Sequence, residues 1–409
     1  MKCRHCDNSL SNLFLDLGSS PHSNAYLSAD ALSAPELWFP LRVLQCDSCW
    51  LVQTEDFSAP DQLFSEDYAY FSSTSKSWLR HAEQYTLDMI QRFQISSSSM
   101  VSEVAANDGY LLQFFKHRGV PSYGIEPTAS TAKAARDVHG LEIVEDFFGT
   151  RLAKVLAAEG RTVDLVAANN VLAHVPDIND FVKGFSILLK PSGVATFEFP
   201  SLKTLVDKVQ FDTVYHEHFS YLSLTSVSSI FAANGLQIFD VSTLPTHGGS
   251  LRVFAQRADT PHRSINSSVQ NMLAEEHRLG MNTNAFYQGF QSRVGRLKND
   301  LVSFLIEAQK EGKTVVGYGA AAKGNTILNY AGVRNDLISY IVDNAEAKQG
   351  KFMPGSRIPI LSPKEIERTQ PDYILILPWN LREEISSQME SARLWGARFV
   401  VASPSLEVF

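Results

Sequence analysis

The sequence predicts an α/β fold in three parts, and three observations carry that prediction. All of its cysteines sit in two Cys-x-x-Cys pairs within the first fifty residues. An apolar strand ending near Ala106 turns through Asn107-Asp108-Gly109 into a helical pattern. A second strand, glycine turn and helix begin at Thr314. With 409 residues, 44% of them apolar and 20% charged, the chain has room for two or three domains with ordinary cores. A formal net charge of -8 argues against nucleic acid or an anionic membrane as partner, since both ask for a basic face. No apolar run has the length of a membrane span, and Lys2-Cys3-Arg4-His5-Cys6 does not open like a signal peptide, so a cytoplasmic location is expected.

Cys3, Cys6, Cys46 and Cys49 form two knuckles whose thiolates suit a tetrahedral, structural Zn²⁺. Four sulfur ligands close the shell, which leaves no open position for metal catalysis. From Leu51 to Tyr85 the chain is rich in aromatics and hydroxyls, including Phe64, Tyr68, Tyr70, Phe71 and Trp78. That stretch reads either as a packing segment or as a lid over a ligand.

The strand from Met100 turns at Asn107-Asp108-Gly109, where backbone and helix amides approach a ligand closely. Twenty-three residues after Glu103, a second apolar run ends in Glu126, an acid suited to ribose hydroxyls. A third strand, Val163 to Asn170, ends in two asparagines. Only Gly109 is present of the glycines that a pyrophosphate would need, so the pieces read as a class I, Rossmann-like site for S-adenosylmethionine. Its candidate residues are Glu103, Ala105, Asn107, Gly109, Tyr110, Glu126, Pro127, Asn169, Asn170 and Lys76, with Asp146 and Phe147 placed to meet an adenine ring.

The densest polar cluster is Phe211-Asp212-Thr213-Val214-Tyr215-His216-Glu217-His218-Phe219-Ser220-Tyr221. Histidine accepts a proton near neutrality and a neighbouring acid can hold its ring, so this run reads as the general base. Thr246-His247-Gly248-Gly249-Ser250-Leu251-Arg252 reads either as a hairpin turn or as a loop touching substrate. Its His-Gly-Gly is not part of a hydrolase, because no Gly-x-Ser-x-Gly elbow exists. Ser264 to Glu311 has helical spacing and reads as one long connection. Beyond it, Gly317-Tyr318-Gly319-Ala320-Ala321-Ala322-Lys323-Gly324 is either a diphosphate cradle, with Lys323 and Lys351 as countercharges, or a plain βα turn.

Taken together, the four cysteines, Tyr-Phe-Ser-Ser, Glu-x-x-x-Asn-Asp-Gly, Asn-Asn-Val-x-x-His, Tyr-His-Glu-His, His-Gly-Gly-Ser-Leu-Arg and Gly-Tyr-Gly-Ala-x-x-Lys-Gly make the chain resemble the sugar-nucleotide 3-C-methyltransferases over its whole length. The resemblance implies a zinc-binding module with an aromatic lid at 1–75, a methyltransferase domain at 76–260, a helical connection at 261–312 and a Rossmann-like α/β domain at 313–409 that helps hold the nucleotide. It implies Tyr70, His174, Tyr215, Glu217 and His218 as active-site residues, with His218 the base, Glu217 orienting it or contacting the sugar, and Tyr68 competing with Tyr70 as lid. Tyr68, His247, Gly248, Ser250, Arg252, Gly319, Ala320, Lys323, Asn325 and Lys351 are the candidates for the substrate, a dTDP- or GDP-linked 4-keto-deoxysugar. A monomer or homodimer is expected. Ala105 departs from the usual first glycine of the donor turn.

Three other readings stay distinguishable. An O- or N-methyltransferase on the same scaffold would leave the methyl on a heteroatom. A zinc-bearing scaffold without chemistry would lack the base cluster or donor residues. A dehydrogenase built on the C-terminal unit would need a third fingerprint glycine.

Overall fold

The structure of the protein is a computed structural model that describes residues 1–56 and 71–409. In the N-terminal module, strands β1 (Asn12–Ser20), β2 (Phe39–Gln45) and β3 (Val52–Thr54) pair antiparallel in sequence order. The knuckles flank this sheet. Each closes through a left-handed residue, Asp7 at φ 58° and Trp50 at φ 61°, whose amide donates back to the carbonyl of Cys3 or Cys46.

The central domain is built on β4 (Val101–Val104), β5 (Ser122–Ile125), β6 (Glu142–Val144), β7 (Val163–Asn169) and β8 (Leu189–Pro200). After these come β9 (Ser220–Tyr221), β10 (Leu236–Leu244) and β11 (Ser250–Arg257). Seven of them form one sheet in the order β10-β11-β8-β7-β4-β5-β6, in which β11 runs antiparallel to both its neighbours and the other pairs are parallel. Helices cover both faces, so β4 is buried along its whole length, as a doubly covered parallel strand must be. Strand order reverses between β4 and β7, and ligands of open α/β sheets lie beyond the strand ends at such a reversal.

β9 does not join this sheet. It crosses to the N-terminal module and pairs with β3 through Val52 with Tyr221 and Gln53 with Ser220.

The helical connection is three helices, Ser267–Arg278, Asn284–Tyr287 and Phe290–Lys310, rather than one. The breaks fall at Gly280 and Gly289, both at φ 78°, where an α-helix cannot continue. The last helix buries Val294, Leu297, Leu301 and Leu305 in a core shared with Phe14 and Leu15 of the N-terminal sheet and Val315 and Val400 beyond it. The C-terminal sheet holds β12 (Val315–Tyr318), β13 (Ile341–Val342), β14 (Ile360–Leu361), β15 (Tyr373–Ile376), β16 (Arg398–Val401) and β17 (Glu407–Val408). Their order is β14-β13-β12-β15-β16-β17, all parallel but the last. Among the described residues, no helix is long and apolar enough to cross a membrane.

Candidate functional site

The four cysteine sulfurs lie within 4.8 Å of one another, with Cys3–Cys49 at 3.5 Å and Cys6–Cys46 at 3.6 Å. A tetrahedral zinc with ~2.3 Å bonds to sulfur needs ligands ~3.8 Å apart, so the residues present fit the ion. The first knuckle also holds the neighbouring chain. The Arg4 amide donates to Gln53 Oε1 at 3.0 Å, its guanidinium donates to the Thr54 carbonyl at 2.9 Å, and that guanidinium lies 5.0 Å from the Phe219 ring centroid.

At the end of β4, Ala105, Asn107 and Gly109 all take left-handed φ (59°, 49° and 83°), so Ala105 occupies a glycine-like backbone state despite its methyl. Glu126 reaches back across the sheet end. Its Oε2 accepts from the Asn107 amide and its Oε1 from the Thr128 amide, each at 2.9 Å, and burial raises its pKa. Glu103 is fully buried, and burial pushes its carboxyl well above the usual range against the pull of the Tyr110 hydroxyl. Asn169 Oδ1 and both amide atoms of Asn170 are buried without a protein partner at the same edge, which suits a polar ligand there. Phe147 is 59% exposed, and Pro127 lies half-buried beside Glu126. Asp146 is instead paired with Arg151 at 2.5 Å, and Lys76 is exposed on the first turn of helix Lys76–Phe93. Phe71 to Ser75 docks on the turn, with the Ser72 amide on Asn107 Oδ1 at 2.9 Å and the Ser73 amide on Asp108 Oδ2 at 3.1 Å. Tyr68 and Tyr70 lie outside the described residues.

The base cluster stands where the domains meet. His218 Nδ1 lies 2.7 Å from the Thr213 carbonyl, which can only accept, so the proton is on Nδ1. Nε2 is therefore the free base, and it accepts from the Tyr215 hydroxyl at 2.8 Å. Burial, then the nearby His174, hold His218 well below its ordinary pKa, so its imidazole is neutral at pH 7. His174 packs edge-on against it at 4.6 Å and burial lowers it to about 4. The loop is gripped by the zinc module: the Thr54 hydroxyl donates to the His218 carbonyl at 3.0 Å and the Thr54 amide to the Phe219 carbonyl at 3.2 Å.

Glu217 does not orient His218. Asn24 of the N-terminal module donates to both of its carboxylate oxygens, at 2.7 and 2.9 Å, and burial pushes the acid up to about 7. The Thr213 carbonyl holds the ring instead. His216 points to the N-terminal module, 3.2 Å from the Pro40 carbonyl.

The glycine loop is a hairpin between β10 and β11. The Ser250 hydroxyl donates to the Thr246 carbonyl at 2.9 Å, and Arg252 is ion-paired with buried Glu198 at 2.7 Å. Glu198 also takes His81 Nε2 at 2.9 Å and the Thr246 hydroxyl at 2.8 Å. Burial would raise its pKa, but the His81 bond and the Arg252 charge outweigh it and hold the acid at about 2. His247 lies 5.3 Å from the Trp78 ring, and burial, then Lys323, lower it to about 4. Gly248 has φ +87°, and a Cβ there would stand 2.3 Å from the Trp379 ring. Gly248→Ala is expected to cost about 2–4 kcal/mol and lower the thermal midpoint by roughly 5 °C. Gly160→Ala, at φ +75° with nothing near, isolates the backbone part of that loss.

In the turn after β12, for which a diphosphate cradle was one expectation, three backbone amides already have partners within the protein. The Gly319 amide donates to the Val342 carbonyl, the Ala321 amide to the Gly319 carbonyl, and the Ala320 amide to Asp343 Oδ2 at 2.8 Å, where an acid already holds the anion position. Lys351 is exposed. Asn325 is fully buried with neither amide atom partnered. Lys323 turns toward Trp379 and Asn380. Sequence reasoning missed Asn24, Tyr26, His81, Asp212 and Trp379, whose partners are up to 294 positions away. Two of them carried a signal, His81 as a histidine within an otherwise ordinary helical pattern and Asp212 as an acid within the densest polar cluster.

Family models match the chain in three stretches: a zinc binding domain over residues 3–64, a methyltransferase domain over 78–241 and a C-methyltransferase C-terminal domain over 245–404. C-methyltransferase NovU of Streptomyces niveus is 34% identical over 407 residues, covering 100% of this chain and 96% of its own. The chain belongs to the C-methyltransferase family. A ubiquinone biosynthesis O-methyltransferase of Xylella fastidiosa is 30% identical over 139 residues, 32% of this chain and 56% of that one. Among solved structures, the PH0226 protein of Pyrococcus horikoshii aligns at 15% identity and TM-score 0.39, over 49% of this chain and 100% of its own. The magnesium protoporphyrin IX methyltransferase of Synechocystis, with bound SAM, aligns at 14% identity and TM-score 0.34, over 44% and 79%. This C-methyltransferase is therefore S-adenosylmethionine-dependent, with a zinc-binding N-terminal module, a central methyltransferase domain and a C-terminal α/β domain.

Proposed function

We propose that this C-methyltransferase methylates C3 of a nucleotide-linked 4-keto-deoxysugar through an enolate. The observation that carries the reading is a neutral, buried His218 with Nε2 as its accepting nitrogen, at the junction of the domains. Carbon is a poor nucleophile until it loses a proton, and a ketone beside it lowers the cost by taking the charge onto oxygen. His218 Nε2 is the final proton acceptor, Tyr215 stands at its approach, and the Thr213 carbonyl fixes the tautomer. His174 borders the same space. Tyr70 remains the proposed lid residue. When bound, S-adenosylmethionine supplies the electrophilic methyl. On this chain its holders are Glu103, Asn107, Tyr110, Glu126, Asn169 and Asn170, with Phe147 open to an adenine face. His247 and Asn325 are the proposed contacts to the sugar nucleotide, supported by buried polar atoms that have no partner among the described residues.

The test is a panel of dTDP- and GDP-linked 4-keto sugars with methyl-labelled donor, the product read by carbon NMR. A new methyl on C3 is expected. A methyl on oxygen or nitrogen, or none with any member, overturns the reading.

A further inference from the structure

Lys323 is the second residue of helix Ala322–Ala331, directly after the β12 turn. Its ammonium donates to Asn380 Oδ1 at 2.7 Å and lies 4.7 Å from the centre of the Trp379 ring. Trp379 is itself a wedge between domains. Its indole N–H donates to Asp212 Oδ2 at 2.7 Å, and its ring fills the space over Gly248, next to His247. Asp212 is 1% exposed, its Oδ1 has no partner, and the next residue, Thr213, supplies the carbonyl that fixes His218. The lysine is thus tied through Trp379 and Asp212 to the turn that carries the base.

Charge explains what such a placement does. The three histidines of the cluster are all held neutral, His174 and His247 at about 4 and His218 well below its ordinary value. None of them brings a positive charge to a developing oxyanion at pH 7. Arg252 and His81 are bound to Glu198. Lys323 is the cation that packs on Trp379, whose ring stands over Gly248 beside His247 and whose N–H holds Asp212, next to the Thr213 that fixes His218. Burial pulls Lys323 down from its ordinary pKa and Asp212 opposes that pull. A cation facing a desolvated site is worth far more there than in water.

We propose that Lys323 is the oxyanion-stabilising residue, contacting the C4 oxygen of the substrate rather than its diphosphate, with Trp379, Asn380 and Asp212 as positioning residues. This rests on the 4-keto sugar reading above. In the step concerned the C3–H bond breaks and its proton passes to the Tyr215–His218 pair. The electron pair becomes the C3–C4 double bond, and the carbonyl π electrons move onto oxygen beside the ammonium. Enolate formation would therefore require the C-terminal domain to be docked.

The experiment measures deuterium exchange at C3 in heavy water, using full-length zinc-loaded enzyme, the 4-keto sugar nucleotide methylated in the panel and S-adenosylhomocysteine in place of the donor. Lys323→Met is expected to slow exchange and methyl transfer together by about 100-fold or more, with KM for the sugar nucleotide within about threefold. Lys323→Arg is expected to recover part of that loss. Trp379→Phe, which removes the N–H to Asp212 together with part of the ring under Lys323, is expected to slow exchange severalfold at unchanged KM, and this arm decides the matter if Lys323→Met does not fold. A tenfold or larger rise in KM with exchange unchanged at saturation makes Lys323 a diphosphate anchor and overturns the proposal. Wild-type enzyme that exchanges no C3 proton overturns the sugar reading itself, a result separate from any Lys323 outcome.

Discussion

His218→Ala is expected to lower the turnover of the C-methyltransferase by about 10³-fold and to abolish solvent exchange at the substrate carbon, while donor affinity stays within about twofold. The split follows from geometry. Among the described residues the imidazole hydrogen-bonds only to Thr213 and Tyr215, and the Glu126 contacts that tie the donor turn together do not involve it. Because burial keeps His218 well below its ordinary pKa, its own titration is expected to leave the rate level between pH 8 and pH 6. Glu217, at about 7, and Asp212, at about 6, are the groups of the base cluster expected to give an acid limb in that window. Glu217→Gln tests which: it should shift that limb if Glu217 is the group seen. A His218→Ala enzyme with full exchange would remove the histidine from the chemistry.

Stripping zinc is expected to have the second large effect, about 100-fold or more on turnover, although no cysteine touches the base. The path is mechanical. The first knuckle holds β3 through Arg4, and β3 holds β9 and the carbonyls of His218 and Phe219. Structural zinc sites contribute folding free energy outright, so an apo module lets that grip relax. Isothermal titration with S-adenosylhomocysteine should show donor binding changed severalfold at most, because β4, β5 and β7 lie in a separate sheet. Cys46→Ser should behave like the stripped enzyme, and zinc should not rescue it. Unchanged turnover in the metal-free protein would show that the β3–β9 grip does not depend on the ion.

The donor edge and the metal knuckles were legible in the sequence because each is written in contiguous residues. Glu103 to Gly109 is one strand and turn, and each Cys-x-x-Cys is a single local loop. The strands of the C-terminal sheet were legible as apolar runs, apart from β14 and β17, which unlike the equally short β13 do not sit within a longer apolar run. What stayed hidden depends on partners far along the chain. Glu217 looked like a support for its neighbour, but Asn24, 193 positions earlier, holds it. The glycine turn after β12 has the pattern of a phosphate site, and only the folded chain shows Asp343 already in the anion's place. Lys323 stood out in the sequence as a candidate countercharge, but its direction is set by Trp379 and Asn380, on a different loop.

Because the fourth strand of the N-terminal sheet is borrowed from the middle of the chain, that module cannot be exchanged between relatives as a simple N-terminal cassette. A chimera cut after β3 would ask a foreign sheet edge to recognise the native β9, and with it the histidine beside it. Grafts that move residues 1–56 and 215–221 as a pair should keep activity where grafts of either piece alone lose it.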